Sequence, residues 1–254
     1  REGRLPRNAI AVTFDDGYAC VKKAKPLLER FGVPATVFLP PDLIERRREF
    51  WWDELERIVL DHGDDCLQWN GRKIDLGRTD PGDRNWLPAD PPRTSRQLAY
   101  REIYDLLYEM PQADLDAAMH RLRETAKVPD APRETHRPLA PEEITALNGT
   151  AIEFGSHALT HPSLPRLNAR DKATEIQESM SRCAALTGQP PRTFAFPYGD
   201  HDPQSQKLVE EAGFLCACRA DGSFVRSNTD RFALPRIFVG NWSTGRLAQV
   251  LGRT

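Results

Sequence analysis

No stretch of this sequence approaches the roughly 20 apolar residues that a membrane-spanning helix requires, so nothing in it reads as a helical membrane span. There is no Cys-x-x-Cys. The five cysteines, Cys20, Cys66, Cys183, Cys216 and Cys218, are odd in number and scattered, a pattern that does not form a disulfide framework. Free thiols slightly favour a reducing compartment such as the cytoplasm. No signal peptide is visible, yet the chain starts at Arg1 without a methionine, so a trimmed leader and a periplasmic location stay open. Large net charge is also missing. At −2, the balance offers no bulk electrostatic case for nucleic acid. Internal repeats and low-complexity tracts are absent. What is present is 254 residues with 39% hydrophobic and 28% charged content, which fits one α/β domain of barrel size with a solvated surface.

The chain is organised around Ile10-Ala11-Val12-Thr13-Phe14-Asp15-Asp16-Gly17. An apolar run of strand formers stops at two carboxylates and a glycine, and catalytic groups on α/β folds collect where strands end. Successive side chains at a strand end point in different directions, so one acid can hold a metal while the other takes a proton from water. A helix cap in a solvated turn is the plainer alternative. The glycine permits a sharp turn and leaves room for a ligand.

A second strand-like stretch, Ile152-Glu153-Phe154, runs into Gly155-Ser156-His157-Ala158-Leu159-Thr160-His161-Pro162. Two histidines at this spacing converge on one ion if the segment makes a helical turn. With Asp16 they make a two-histidine, one-carboxylate set. That set suits zinc, and other divalent transition metals where positions stay open for water and substrate.

Three motifs now stand in order: Thr-Phe-Asp-Asp-Gly, Ser-His-x-x-x-His-Pro and Phe196-Pro197-Tyr198-Gly199. Together they resemble the polysaccharide deacetylase family (NodB homology, carbohydrate esterase family 4), over a core from about Ile10 to Trp242. The Phe194-Ala195-Phe196-Pro197-Tyr198-Gly199 form is similar to the branch with poly-N-acetylglucosamine and surface-glycan deacetylases. The resemblance implies a distorted (β/α) barrel and metal-dependent removal of an N-acetyl group from an amino sugar. It also implies Asp15 as general base, Asp16, His157 and His161 as ligands of one zinc or similar divalent ion, and the Tyr198 N–H as an oxyanion donor. Pro197 and Tyr198 would line the substrate.

Two features depart from that family. Its third motif often begins with an arginine that orients the base, and none stands there. Arg236, in Leu234-Pro235-Arg236-Ile237, is our candidate for the missing cation; a surface arginine at a strand end is the alternative. The family's late Leu-x-His, source of its general acid, is also missing, since no histidine follows His201. The others are His62, His120 and His136. The acid would then be Asp15 after it has taken a proton, or a water on the metal. His201 itself reads as a polar loop residue.

Strands are expected at Ile10–Phe14, Val33–Leu39, Ile152–Phe154, Thr193–Phe196, Phe214–Cys218 and Phe232–Val239. Helices are expected at Val21–Phe31, Pro141–Leu147, Asp171–Leu186, Gln204–Ala212 and Ser243–Leu251, giving a mainly parallel sheet. The first helix would present Ala24, Leu27, Leu28 and Phe31 at helical spacing. Cys216 and Cys218 would share the core side of their strand. Arg1 to Asn8 reads as a polar lead-in. Between them, residues 41–138 read as a mostly helical insertion in a single catalytic domain, a lid or substrate collar. It holds Trp51 and Trp52 on one helix, a hairpin arm at Gly71–Leu76, a Thr94-capped helix over 95–109 with Tyr100, Tyr104 and Tyr108 on one face, and a helix over 113–127. Trp52 is the candidate to stack on a sugar ring, against the alternative of core packing.

The function expected is N-deacetylation of an amino sugar in a polysaccharide, oligosaccharide or glycan precursor. Competing readings are hydrolysis of another sugar amide such as a formamido group, a non-catalytic glycan-binding protein, and a two-carboxylate glycosidase needing no metal. The sequence leaves the oligomeric state open.

Overall fold

A computed structural model describes residues 9–61 and 63–252. The expected lead-in, Arg1 to Asn8, and His62 lie outside the described residues. The chain divides into two compact units, residues 1–46 with 138–254, and residues 47–137.

The first unit is built on a five-stranded parallel sheet in the order β1 (Val12–Phe14), β2 (Ala35–Leu39), β5 (Ile152–Ser156), β6 (Thr193–Ala195) and β7 (Cys216–Cys218). Helices α1 (Lys25–Phe31), α2 (Pro41–Arg46), α6 (Pro141–Leu147), α7 (Ala169–Thr187), α8 (Pro203–Glu211) and α9 (Thr244–Leu251) connect or follow the strands. The five parallel strands make a curled half-barrel, in keeping with the expected distorted (β/α) barrel. Side chains alternate across each strand. Val37, Leu39, Ile152 and Phe154 pack outward with Leu28, Ile144 and Cys183. Phe194 and Ala217 pack outward with Ile176, Val209 and Phe214. Phe38, Ala195 and Cys218 turn the other way and form a small inner cluster with Leu234. Cys218 is buried there, whereas Cys216 is only half-buried.

Local chemistry sets the helix ends. Asn168 caps α7 through the Asp171 N–H, and Gly188 closes it in the left-handed region (φ 77°). Asp202 and Ser205 cap each other reciprocally at the start of α8.

Two expected elements differ. The helix over Val21–Phe31 is instead a 3-10 turn (Ala19–Lys23) followed by α1. Pro26 lacks an N–H and fits only a first turn, so the α-helix restarts there. Leu28 points inward, but Leu27 and Phe31 are 57% and 67% exposed, so the expected stripe is not a core face. The strand over Phe232–Val239 does not form. The segment runs beside β7 through the Leu234 N–H to the Ala217 carbonyl (2.8 Å) and the Arg219 N–H to the Leu234 carbonyl (2.9 Å). Leu234 is its one bridge residue, paired parallel with Cys218. Pro235 has no N–H to continue a ladder.

The second unit holds α3 (Trp51–Val59), the antiparallel hairpin β3 (Cys66–Trp69) and β4 (Arg72–Asp75), α4 (Ser95–Tyr108) and α5 (Gln112–Ala126). Asn70-Gly71 makes the hairpin turn with both residues at positive φ, so the hairpin starts before Gly71. Leu55, Ile58, Tyr100, Ile103, Leu107 and Leu122 belong to its own core. Two buried carboxylates are paired with arginines. Arg123 donates to Glu54 (2.8 Å), and Arg133 grips the fully buried Glu49 carboxylate. α2, which the expected insertion included, lies in the first unit, where its Asp42 and Glu45 pair with Arg182 of α7.

Candidate active site

The site lies at the carboxyl ends of β1, β5 and β6. After Phe14 the chain leaves β1 into Asp15, Asp16 and Gly17, with Asp16 (φ 68°) and Gly17 (φ 67°) both left-handed. This reversal directs the two carboxylates differently. A Cβ on Gly17 would sit 2.5 Å from Leu39 Cδ2 and 3.1 Å from Ile44 Cδ1. The space beside Gly17 is therefore filled by the core and is not the ligand room that the sequence suggested.

The histidine segment departs from expectation too. It is an irregular loop and not a helical turn, with Ala158 (φ 59°) and His161 (φ 61°) both left-handed. Side chains tolerate that region at a cost of roughly 1 kcal/mol or more per residue. The two rings nonetheless converge, with centroids 4.7 Å apart and nearly perpendicular.

His157 is 1% exposed. Its Nδ1 lies 2.7 Å from the Ala195 carbonyl oxygen, which can only accept, so Nδ1 carries the proton and Nε2 presents a lone pair. Burial pushes the imidazole pKa down, and the ring is neutral at neutral pH. That Nε2 lies 3.6 Å from Asp16 Oδ1, and His161 Nε2 lies 3.2 Å from the same oxygen. Asp16 Oδ1 is buried and accepts no hydrogen bond among the described residues.

A buried carboxylate oxygen that accepts no hydrogen bond, with two imidazole nitrogens within 3.6 Å, is a place that suits a cation. Zinc–ligand bonds of about 2.0–2.1 Å in a tetrahedron separate ligand atoms by about 3.3 Å, and the observed pair brackets that value. Asp16, His157 and His161 therefore form a group that could hold one metal ion. In the second unit, Asp53, Glu56 and His136 also cluster, but Arg133 lies 3.5 Å from Glu56 and already compensates that charge.

Asp15 faces a different partner. Arg236 Nη1 donates to Asp15 Oδ1 (2.6 Å) and Nη2 to Oδ2 (2.7 Å), a bidentate fork. The guanidinium is anchored further by Nε to the Arg219 carbonyl (3.2 Å), by Nη1 to Thr13 Oγ1 (3.1 Å), and by the Phe38 ring 5.4 Å beneath it. Burial alone would raise the Asp15 pKa, but His157 and Arg236 more than offset it and lower it. Asp15 Oδ2 lies 3.9 Å from His157 Nε2, next to the metal-ligand group.

Pro197-Tyr198-Gly199 forms a tight turn after β6, with Tyr198 at φ 59°, ψ 1°. The Tyr198 ring meets His161 edge-on at 4.6 Å. Gly199 (φ 77°) is packed so closely that a Cβ would lie 2.8 Å from the Ala220 backbone nitrogen. His201 bonds its own loop through Nδ1 to the Gly199 carbonyl (3.1 Å).

Asp15, Asp16, His157, His161, Pro197, Tyr198 and Arg236 thus come together from three motifs and a late segment. Trp52 does not belong to this unit. It lies on α3 in the second unit, half-buried and stacked flat on Phe50 at 4.9 Å. Sequence reasoning missed Thr13, Phe38 and the Ala195 carbonyl. Thr13 stood inside a recognised motif, while the other two carry no chemical signature of their own.

The curled parallel sheet and the Asp–His–His group at its carboxyl edge define a NodB-type deacetylase scaffold. The chain belongs to the polysaccharide deacetylase family, whose sequence pattern matches residues 2–63 and 95–217. Among solved structures, it is similar to the Streptococcus pyogenes deacetylase PplD in complex with acetate, at 13% identity and TM-score 0.55, covering 94% of this chain and 68% of that one. A de-N-acetylase from Aggregatibacter actinomycetemcomitans aligns at 12% identity and TM-score 0.54, covering 98% of this chain and 77% of the other. A polysaccharide deacetylase from Bacillus cereus aligns at 14% and 0.52, covering 95% of this chain and 51% of that one. At such identities the likeness is one of fold. No curated protein matches the chain. No helix among the described residues is long and apolar enough to cross a membrane.

Proposed function

We propose that this protein is a metal-dependent N-deacetylase of an amino sugar carried in a polysaccharide, oligosaccharide or glycan precursor. The observation that carries the reading is the pairing of two separate carboxylate environments. Asp16 faces two imidazole nitrogens, while the adjacent Asp15 is held by a bidentate arginine.

A zinc or similar divalent ion held by Asp16, His157 and His161 would polarise the amide carbonyl and make water more acidic. Asp15, held in place by the Arg236 fork, takes the proton from the attacking water as general base. The backbone N–H of Tyr198 donates to the developing oxyanion, and its left-handed turn keeps that donor fixed. Asp15 then returns the proton to the departing amine, so one amide and one water give acetate and a free amino sugar. No histidine follows His201 to take over that second step. Pro197 and the Tyr198 ring line the acyl side.

The test is acetate release from N-acetylated amino-sugar oligomers by wild type, chelated wild type and Asp15→Asn. Loss of release in the last two, with metal content retained in Asp15→Asn, is expected. Release that persists through chelation would exclude the mechanism.

A further inference from the structure

The loop between the two histidines has a holder that the chemistry above does not use. Glu175, on α7, aims its carboxylate at residues 159 and 160. Oε2 accepts from the Leu159 N–H (2.8 Å) and the Thr160 N–H (2.9 Å), and Oε1 accepts from Thr160 Oγ1 (2.6 Å). Three donors from two successive residues meet one side chain. The loop these bonds cross is the one with left-handed Ala158 at one end and left-handed His161 at the other.

We infer that Glu175 is the positioning residue that gives the loop its metal-binding shape, setting the affinity of Asp16, His157 and His161 for the ion without touching it. The inference rests on the metal-dependent reading above. Its physical basis is a difference between the two ring carriers. His157 follows β5 directly, is fully buried, and is oriented by the Ala195 carbonyl. His161 comes four residues later, beyond any strand, on backbone that its own side chain disfavours. The Leu159 carbonyl is tied separately to the Asp42 N–H (3.1 Å), so the loop is pinned through its backbone on both polar sides. A charged acceptor makes these bonds stronger than a neutral group would. Groups that orient a ligand without binding the metal commonly change metal affinity by about 10–100-fold. Here the same effect acts through the main chain.

The experiment is cobalt titration of the full chain, read by the visible d–d spectrum and by affinity. The variants are Glu175→Ala, Glu175→Gln and Thr160→Val, with far-UV circular dichroism on each apo protein. Glu175→Ala is expected to bind cobalt about 10–100-fold more weakly, with an altered spectrum and an unchanged apo fold. Glu175→Gln keeps an amide oxygen for the two N–H donors and should recover much of the affinity. Thr160→Val removes one bond of three and should weaken binding the least. Should Glu175→Ala not fold, the graded order of the other two against wild type decides. Wild-type affinity throughout the folded variants would overturn the clamp alone. A wild-type protein that binds no cobalt would overturn the metal reading and the clamp with it.

Discussion

Arg236 closes a fork on Asp15 across the open seam of the sheet. Asp15 follows β1 at one edge, and Arg236 comes from the segment paired beside β7 at the other. The same side chain reaches Thr13 of β1 and the Arg219 carbonyl. A single residue thereby ties the two edges together and orients the proposed base. Arg236→Ala should lower kcat/KM for deacetylation by about 10²-fold, the scale of a misplaced catalytic group, while leaving metal content unchanged. Arg236→Lys should recover little, because an ammonium cannot donate as a planar fork. Steady-state acetate release with elemental analysis tests both, and unchanged turnover in Arg236→Ala would remove the residue from the mechanism.

Metal content has its own prediction. Wild type should carry about one divalent ion per chain, and His157→Ala or Asp16→Asn should lose it. Adding the ion should raise the melting temperature of wild type and leave His157→Ala unmoved. Equal metal content in wild type and His157→Ala would place the ion elsewhere.

Gly199→Ala probes the turn that presents the Tyr198 N–H. The new methyl would lie 2.8 Å from the Ala220 nitrogen, on backbone already left-handed. Overpacking and backbone strain together should cost about 2–3 kcal/mol. Thermal unfolding should register that loss, and acetate release should fall further than stability explains, since the oxyanion donor moves with the turn. A variant with wild-type melting and wild-type turnover would show that the turn has more room than the structure gives it.

Acid stability of the second unit depends on Glu49. Burial raises the pKa of this carboxyl, but Arg133, through its side chain and its N–H, and Arg57 more than offset that and lower it. A folded pKa below the unfolded value of about 4.3 means that the ion pair stabilises fully above that pH. The contribution is lost as pH falls through the folded value. Glu49→Gln should therefore be less stable than wild type at neutral pH by about 2 kcal/mol, less than a fully buried broken pair because Arg133 keeps some solvent and the amide oxygen can still accept from its N–H. The gap in melting temperature should narrow as pH falls below about 4.3 and close only below the folded value. A gap constant with pH would mean that packing, not charge, is what Glu49 supplies.

The strands and the three motifs were legible because each is a local pattern. An apolar run ending in acids, a histidine pair and a proline–tyrosine–glycine turn announce themselves over a few residues, and helix caps such as Asn168 and Gly188 are equally local. The failures were also local rules, met by a competing one. Pro26 divided an apparent helix, and Pro235 denied a ladder to an apparent strand. The spacing of His157 and His161 suggested a helical turn, yet the structure reaches the same convergence with two left-handed residues.

The sequence by itself determined the family, the alternation of strands with helices and the identity of the ionisable groups, since these follow from residue type and short-range spacing. Only the tertiary structure decided which groups face one another. Arg236 lies 221 positions from Asp15 and Glu175 lies 15 from Thr160. No periodicity encodes either contact, because curling the sheet, and packing α7 against it, is what brings a long-range donor and acceptor within bonding distance.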